Sequence, residues 1–248
     1  MIRTRDGRTH RRREICVALL LTFFGACHVG GRVAAQQFEQ LSPQVREFVA
    51  VQAPHVLIRD VRLIDGTGAP AREGMSVVLR DGRIVTVGPM SEVGDVPGAQ
   101  IVDGTGQTLI PGLVMLHEHM FYPSGRARYN TNQFSFPPLY LAGGTTTIRT
   151  GGSLDPYTDL SIRREIDAGR HPGPSMDVTG PYLEGSGGFI WAFPSLSTPD
   201  EARDHVNFWA DRGVTSFKAY NRIDRRTLGA AIEAAHARGI KVTGHLCS

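Results

Sequence analysis

Leu109-Ile-Pro-Gly-Leu-Val-Met-Leu-His-Glu-His119 separates two different textures in this 248-residue sequence. Pro111-Gly112 breaks the preceding pattern, and a short apolar run then ends in two histidines spaced two apart. From there towards the C-terminus, candidate strands alternate with candidate helices, the signature of a parallel sheet. Strands are expected at 112–117, 145–149, 175–179, 215–220 and 241–245. Helices are expected around 136–142, 157–168, 199–211 and 225–238. Thr198 and Asp224 stand where N-caps belong, and Gly169, Gly213 and Gly239 follow helix ends. Residues 121–132 carry no clear periodicity.

Towards the N-terminus the pattern is short β runs separated by turn signals. Residues 56–64 run into Asp65-Gly66, residues 75–79 into Asp81-Gly82, and 100–102 into Asp103-Gly104. Asp81-Gly82 joins its run to 83–87 as a hairpin. Residues 54–110 therefore read as a small antiparallel β module of a size near the lower limit for independent stability, so it should pack against something else. His55 and His171 are expected in loops. Residues 36–53 form a polar lead-in with a short helical stretch at 45–51.

The first 35 residues have another character. Seven Arg stand against Asp6 and Glu14, and an uninterrupted apolar run from Ile15 to Cys27 follows. A basic start, an apolar stretch and the small residues Val33-Ala34-Ala35 fit a secretory signal peptide, which predicts a periplasmic or extracellular protein. The alternative, a short membrane anchor, needs about 20 apolar residues, more than this run supplies. Arg12-Arg13-Glu14-Ile15 loosely resembles a twin-arginine export signal, and Phe24-Gly25-Ala26-Cys27 a lipoprotein box that would anchor the chain through Cys27. The segment's net +5, taken from the chain's +3, leaves −2 for residues 36–248. The basic balance thus belongs to targeting and favours no nucleic-acid partner. Cys16 and Cys27 fall in the apolar run, so one cysteine, Cys247, remains and cannot form an internal disulfide.

His117 and His119 end the first strand of the alternating region. Residues two apart on a strand share a face, so both imidazoles aim one way, about 7 Å apart at their Cα atoms. Imidazole suits Zn and similar ions. By itself a His-x-His pair also fits a polar loop. Lys218 ends the fourth strand and His245 the fifth, and in a parallel barrel the C-terminal strand ends converge on one site. A lysine ending an apolar strand is costly to bury. It reads either as a rim salt bridge or as a lysine carboxylated by CO2, whose two oxygens can bridge two metals. Tyr220 shares the strand face of Lys218 and is either a substrate contact or a packed rim tyrosine. The loop 184–191 either borders the pocket or is an ordinary long loop. His205 and His236 lie on helices and read as surface or packing residues. No nucleotide-binding glycine fingerprint and no Gly-x-Ser-x-Gly elbow is present.

Taken together, Asp60-Val-Arg-Leu-Ile-Asp-Gly-Thr-Gly68 and Pro111-Gly-Leu-Val-Met-Leu-His-Glu-His119 resemble the start of an amidohydrolase-superfamily protein. Gly143-Gly-Thr-Thr-Thr-Ile-Arg149, Phe217-Lys-Ala-Tyr220 and Ala234 through His245 extend the likeness to strands 2, 4 and 5. The likeness covers residues 54–248 and points to the imidazolonepropionase-like and prolidase-like branch. It implies an α/β fold, an incomplete (β/α)8 TIM barrel of about five strands (residues 111–248) behind the β module. That span suits about five βα units at roughly 30 residues each. It further implies His117 and His119 as ligands of the more buried metal, Lys218 as a carboxylated bridging ligand and His245 as a ligand of a second metal. The expected cofactor is one or two divalent ions, Zn foremost. The expected reaction is hydrolysis of an amide or cyclic amide C–N bond in a small or short peptide-like substrate. The resemblance also implies a His ending a sixth strand and an Asp ending an eighth, the latter serving as ligand and general base. Neither has a counterpart within residues 1–248, so the alternative expectation is a catalytically incomplete fragment. Met115 stands where the family often carries Asp, at a position that is not a ligand.

Overall fold

A computed structural model describes residues 38–245, apart from 127, 189 and 191. The expected export segment, with Cys27, lies outside the described residues, as do Trp191 and Cys247. After a single helical turn at Phe38–Gln40 comes α1 (Pro43–Arg46), capped by Ser42, whose side chain accepts from the Val45 amide at 3.3 Å. The helix expected at 45–51 thus starts earlier and stops at 46. Ser42-Pro43 supplies a strong start, whereas β-branched Val49 and Val51 and then Pro54 favour extended backbone.

The β module holds β1 (His55–Leu63), β2 (Arg72–Arg80) and β3 (Arg83–Pro89), then α2 (Met90–Val93), β4 (Gln100–Asp103) and β5 (Thr108–Leu109). His55 is therefore the first residue of a strand, paired with Arg80, and not a loop residue. Asp81 (φ 49°) and Gly82 (φ 73°) both take positive φ, as a two-residue hairpin turn of this hand requires. The sheet order is β3-β2-β1-β4, with β5 also pairing β1. β1, β2 and β3 are antiparallel, but β4 and β5 run parallel to β1. The module is mixed, contrary to the antiparallel expectation. Residues 90–99 cross back over the sheet and bring β4 to β1 rather than to β3, which a run-by-run reading cannot see. Val61, Leu63 and Met75 form its small core.

The second region runs β6 (Leu113–Glu118), β7 (Phe121–Pro123), β8 (Tyr129–Thr131), α3 (Phe136–Ala142), β9 (Thr145–Thr150), α4 (Pro156–Asp167) and β10 (Ser175–Asp177). It continues with α5 (Pro199–Ala210), β11 (Ser216–Ala219), α6 (Arg225–Ala237) and β12 (Lys241–Gly244). Residues 121–132, unassigned from sequence, make the antiparallel β7–β8 hairpin. Three-residue strands carrying Pro123 leave no periodicity to detect.

β6, β9 and β10 form one parallel sheet, and β11 and β12 pair in parallel. Single parallel bridges, Thr179 to Ser216 and Leu183 to Ala219, connect the two groups. Hydroxyls bridge the same strands internally: Thr150 Oγ1 accepts from the Thr179 amide at 2.8 Å, and Thr179 Oγ1 lies 2.7 Å from Ser216 Oγ. Arg149, on β9, donates both to the Leu116 carbonyl of β6 (3.3 Å) and to Thr243 Oγ1 of β12 (3.0 Å). One side chain on the second strand thus reaches the first and the fifth.

Helices α4, α5 and α6 start at Asp155, Thr198 and Asp224, each accepting amide hydrogen bonds from the first turn. Thr198 and Glu201 complete a reciprocal capping box. Their apolar faces meet the strands in one core built around Ile148, Leu160, Met176, Val206, Phe217 and Ala231. No described helix is long and apolar enough to cross a membrane.

Candidate metal centre

The strand alternation holds at the end of β6. Glu118 turns outward and accepts from the Tyr140 hydroxyl of α3 at 2.7 Å. His117 and His119 turn the other way, with ring centroids 5.2 Å apart. The chain following β9 passes directly behind them. A Cβ on Gly151 would stand 2.1 Å from His117 Cδ2, so only glycine lets the backbone approach this closely. Gly152 (φ 114°) has a backbone that disfavours any side chain, and a Cβ there would press on the Tyr182 ring at 2.5 Å. The Tyr182 hydroxyl lies 3.4 Å from His119 Nδ1.

Lys218 is 6% exposed although charged side chains rarely sit so deep. His245 follows β12, its Nδ1 2.9 Å from Asn221 Oδ1 and its ring 4.7 Å from that of Tyr220. His117, His119, Lys218, Tyr220 and His245 all line one cavity of about 200 Å³, so every residue singled out from the sequence faces the same space. Ile190, from the long loop after β10, lines it too. Its aromatic wall was not legible beforehand: Phe121 and Tyr129 arrive on the β7–β8 hairpin, and Tyr182 stacks on Phe193 at 4.1 Å, with Tyr220 edge-on to both. These residues sit on segments without periodicity, so only the fold brings them together.

The electrostatics favour neutral donors. Burial pulls the His117 imidazole below its ordinary pKa, helped by the nearby Lys218 and Arg149 cations. Burial likewise lowers His119, and the Gly152 carbonyl partly offsets this. Lys218 is lowered by burial and then by Arg149. A neutral imidazole keeps the lone pair that a metal ion needs. Among the described residues no three His, Cys, Asp or Glu side chains converge as a ready-made cage. The donor chemistry present is two imidazoles, a third nearby and a buried amine. Imidazole donors of this kind suit a divalent ion such as Zn. His205, on α5, lies beneath the wall with its ring 6.3 Å from Phe217, a packing residue.

No family model matches the chain. It is 27% identical over 217 residues to the adenine deaminase of Paracoccus denitrificans, covering 82% of this chain and 34% of that protein. It is 39% identical over 110 residues to the imidazolonepropionase of Acidiphilium cryptum, covering 40% of this chain and 27% of that protein. A crystal structure assigned as a prolidase from Bifidobacterium longum superposes with a TM-score of 0.63 at 26% identity, over 79% of this chain and 50% of that one. In sequence and in fold the chain is thus similar to part of several amidohydrolase-superfamily proteins. It spans about a third of the adenine deaminase and half of the prolidase structure, so the amidohydrolase likeness concerns only part of those proteins.

Proposed function

We propose that residues 54–245 carry the metal-binding part of an amidohydrolase that cleaves a C–N bond, amide or cyclic amide, in a small or dipeptide-like substrate. The observation that supports this best is the convergence of His117, His119, Lys218 and His245, from the ends of three strands, on one cavity. Residues 111–245 are read as five strands of a (β/α)8 barrel behind a β module at 54–110. The reach of Arg149 from β9 to both β6 and β12 supports that curvature.

His117 and His119 would hold one divalent ion, with Zn the first candidate, and Lys218 and His245 would serve a second. Bound there, the ion supplies Lewis acidity towards the scissile carbonyl and acidifies water. The chain's own groups prepare this. Burial keeps the imidazoles neutral, and the depressed pKa of Lys218 favours the free amine that can attack CO2. A new N–C bond then forms and the amine proton leaves to solvent, giving an anionic carbamate. Tyr220, which lines the cavity, would contact the substrate. Residues 1–35 would direct export to the periplasm or beyond.

The test is metal analysis and calorimetric Zn titration of the purified chain. At least one ion per chain is expected, with binding lost in the His117→Ala, His119→Ala double variant. No Zn above background would sink the metal centre.

A second reading has its own support. β6 leaves Val114 and Leu116 56% and 66% exposed, unusual for the inner strand of a barrel. We infer from this exposed strand that residues 54–245 do not by themselves form the whole catalytic unit, in keeping with the half of the prolidase structure that they resemble. Sequencing the DNA beyond Ser248 separates the two readings. A continuing frame that supplies the His and Asp implied for later strands would establish the full enzyme, and a stop codon the fragment.

A further inference from the structure

The turn after β11 is pinned by a buried carboxylate that no step above uses. Glu184, in the chain that follows β10, is 2% exposed. Its Oε1 accepts from the Arg222 amide at 2.6 Å and from the Gly185 amide at 3.0 Å. A carboxylate taken out of water needs such donors. The two segments touch here, since a Cβ on Gly185 would collide with the Arg222 carbonyl. One residue earlier, the Leu183 amide donates to the Lys218 carbonyl and the Leu183 carbonyl accepts from the Tyr220 amide, each at 2.9 Å. The chain leaving β11 is thus fixed at Tyr220 and again at Arg222, and Asn221 stands between the two anchors.

Asn221 meets His245 from that position. Its Oδ1 lies 2.9 Å from His245 Nδ1, and the His245 amide donates to the Ala219 carbonyl at 3.3 Å. An amide oxygen only accepts, so the imidazole proton sits on Nδ1 and the lone pair on Nε2. The hydrogen bond made by one ring nitrogen decides whether the other can bind a metal. We propose that Asn221 is a positioning residue for His245: anchored beside the Glu184 carboxylate, it holds the imidazole as the Nδ1–H tautomer and leaves Nε2 as the donor atom. Its role towards a metal rests on the metal-centre reading above; its hold on the tautomer does not.

The experiment uses the full chain labelled with 15N-histidine and free of metal, at about pH 9, where an imidazole of ordinary pKa is neutral. The His245 signals are those missing from His245→Gln. The parent should show His245 as the Nδ1–H tautomer, and Asn221→Ala should move it towards Nε2–H. Asn221→Asp keeps an acceptor oxygen and should restore Nδ1–H. Glu184→Ala should shift the tautomer in the same direction as Asn221→Ala, and Glu184→Gln, which keeps an oxygen for the Arg222 amide, should not. Val206→Ala, a core change on α5, should lower the melting temperature and leave the tautomer alone. In Zn titrations at neutral pH, Asn221→Ala should weaken binding at the His245 site about tenfold or more, the scale on which such supporting partners act. The proposal is overturned if the parent holds His245 as Nε2–H, if Asn221→Ala leaves the tautomer unchanged, if Asn221→Asp fares no better than Asn221→Ala, or if Val206→Ala moves the tautomer as much. Should Glu184→Ala not fold, the exposed Asn221 variants decide. If the parent chain binds no Zn, the metal-centre reading fails, and the metal-free tautomer alone decides the Asn221 assignment.

Discussion

β6 and β11 are strands of one parallel arrangement, and each ends in a candidate ligand, yet their surroundings are opposite. Every residue of β11 is buried, Phe217 completely, with α5 and α6 on one side and the cavity on the other. In β6 five of six residues are exposed; its described strand neighbour is β9 alone. The difference teaches that a strand's position in the order, rather than its composition, sets how firmly it holds a functional side chain. Leu-Val-Met-Leu is more apolar than Ser-Phe-Lys-Ala, but among the described residues one of its edges has no strand partner. Lys218 is held by packing, whereas His117 lies against the bare Gly151 backbone of the chain following β9.

That contrast breaks most easily at its buried end. Phe217→Ala should cost about 3–5 kcal/mol in urea unfolding, because it empties a fully packed site; a loss under about 1 kcal/mol would mean the wall is looser than drawn.

Next comes the response to acid of the two buried ionisable groups beside that wall. Burial holds His205 near pKa 4 in the fold against 6.5 when free. The unfolded chain therefore takes up the proton first, and stability is lost as pH falls from 6.5 through 4. Asp159 works in the opposite sense. Burial lifts its carboxyl to about 6 from 3.8, so the folded chain takes up the proton first and stability is gained as pH falls from 6 towards 3.8. In metal-free protein, His205→Gln should therefore gain stability relative to the parent on acidification, and Asp159→Asn should lose it. Each difference should be ~2 kcal/mol between pH 7 and 4, read from paired denaturant melts. Parallel pH profiles for parent and variants would refute the assignment.

Thr198→Ala removes the capping box that sets α5 over β11 and should cost about 1 kcal/mol. Leu116→Ala on the open strand should change stability by less than about 0.5 kcal/mol. A cost well above that, or a change in the sedimentation of the chain, would show that β6 is covered in solution and would remove the contrast.

Much of this was legible beforehand, for definite reasons. Thr198 and Asp224 cap helices because a short acceptor side chain before an apolar run has one good use. Asp81-Gly82 made its hairpin because both residues tolerate positive φ. His117, His119, Lys218 and His245 stood out because a strand's two-residue period and the common end of parallel strands fix where they point. Other features were hidden. The parallel placement of β4 depends on where residues 90–99 carry the chain. The β7–β8 hairpin and the Tyr182–Phe193 stack lie on segments too short or irregular to show a period. Asp159 read as an ordinary helix residue, since nothing local tells that its carboxylate is sealed from water.

The sequence by itself therefore determined the element types, the turn and cap residues and the chemical identity of the candidate ligands, because these follow from local backbone preferences and side-chain chemistry. Only the tertiary structure decided the rest: that those ligands share one aromatic-walled cavity, that the Gly151–Gly152 backbone passes against His117 and Tyr182, and that Asp159, Ser153 and Gln133 close a buried network. Residues as far apart as 117 and 245 become neighbours only through burial of the surfaces between them, and that is a property of the whole packed chain.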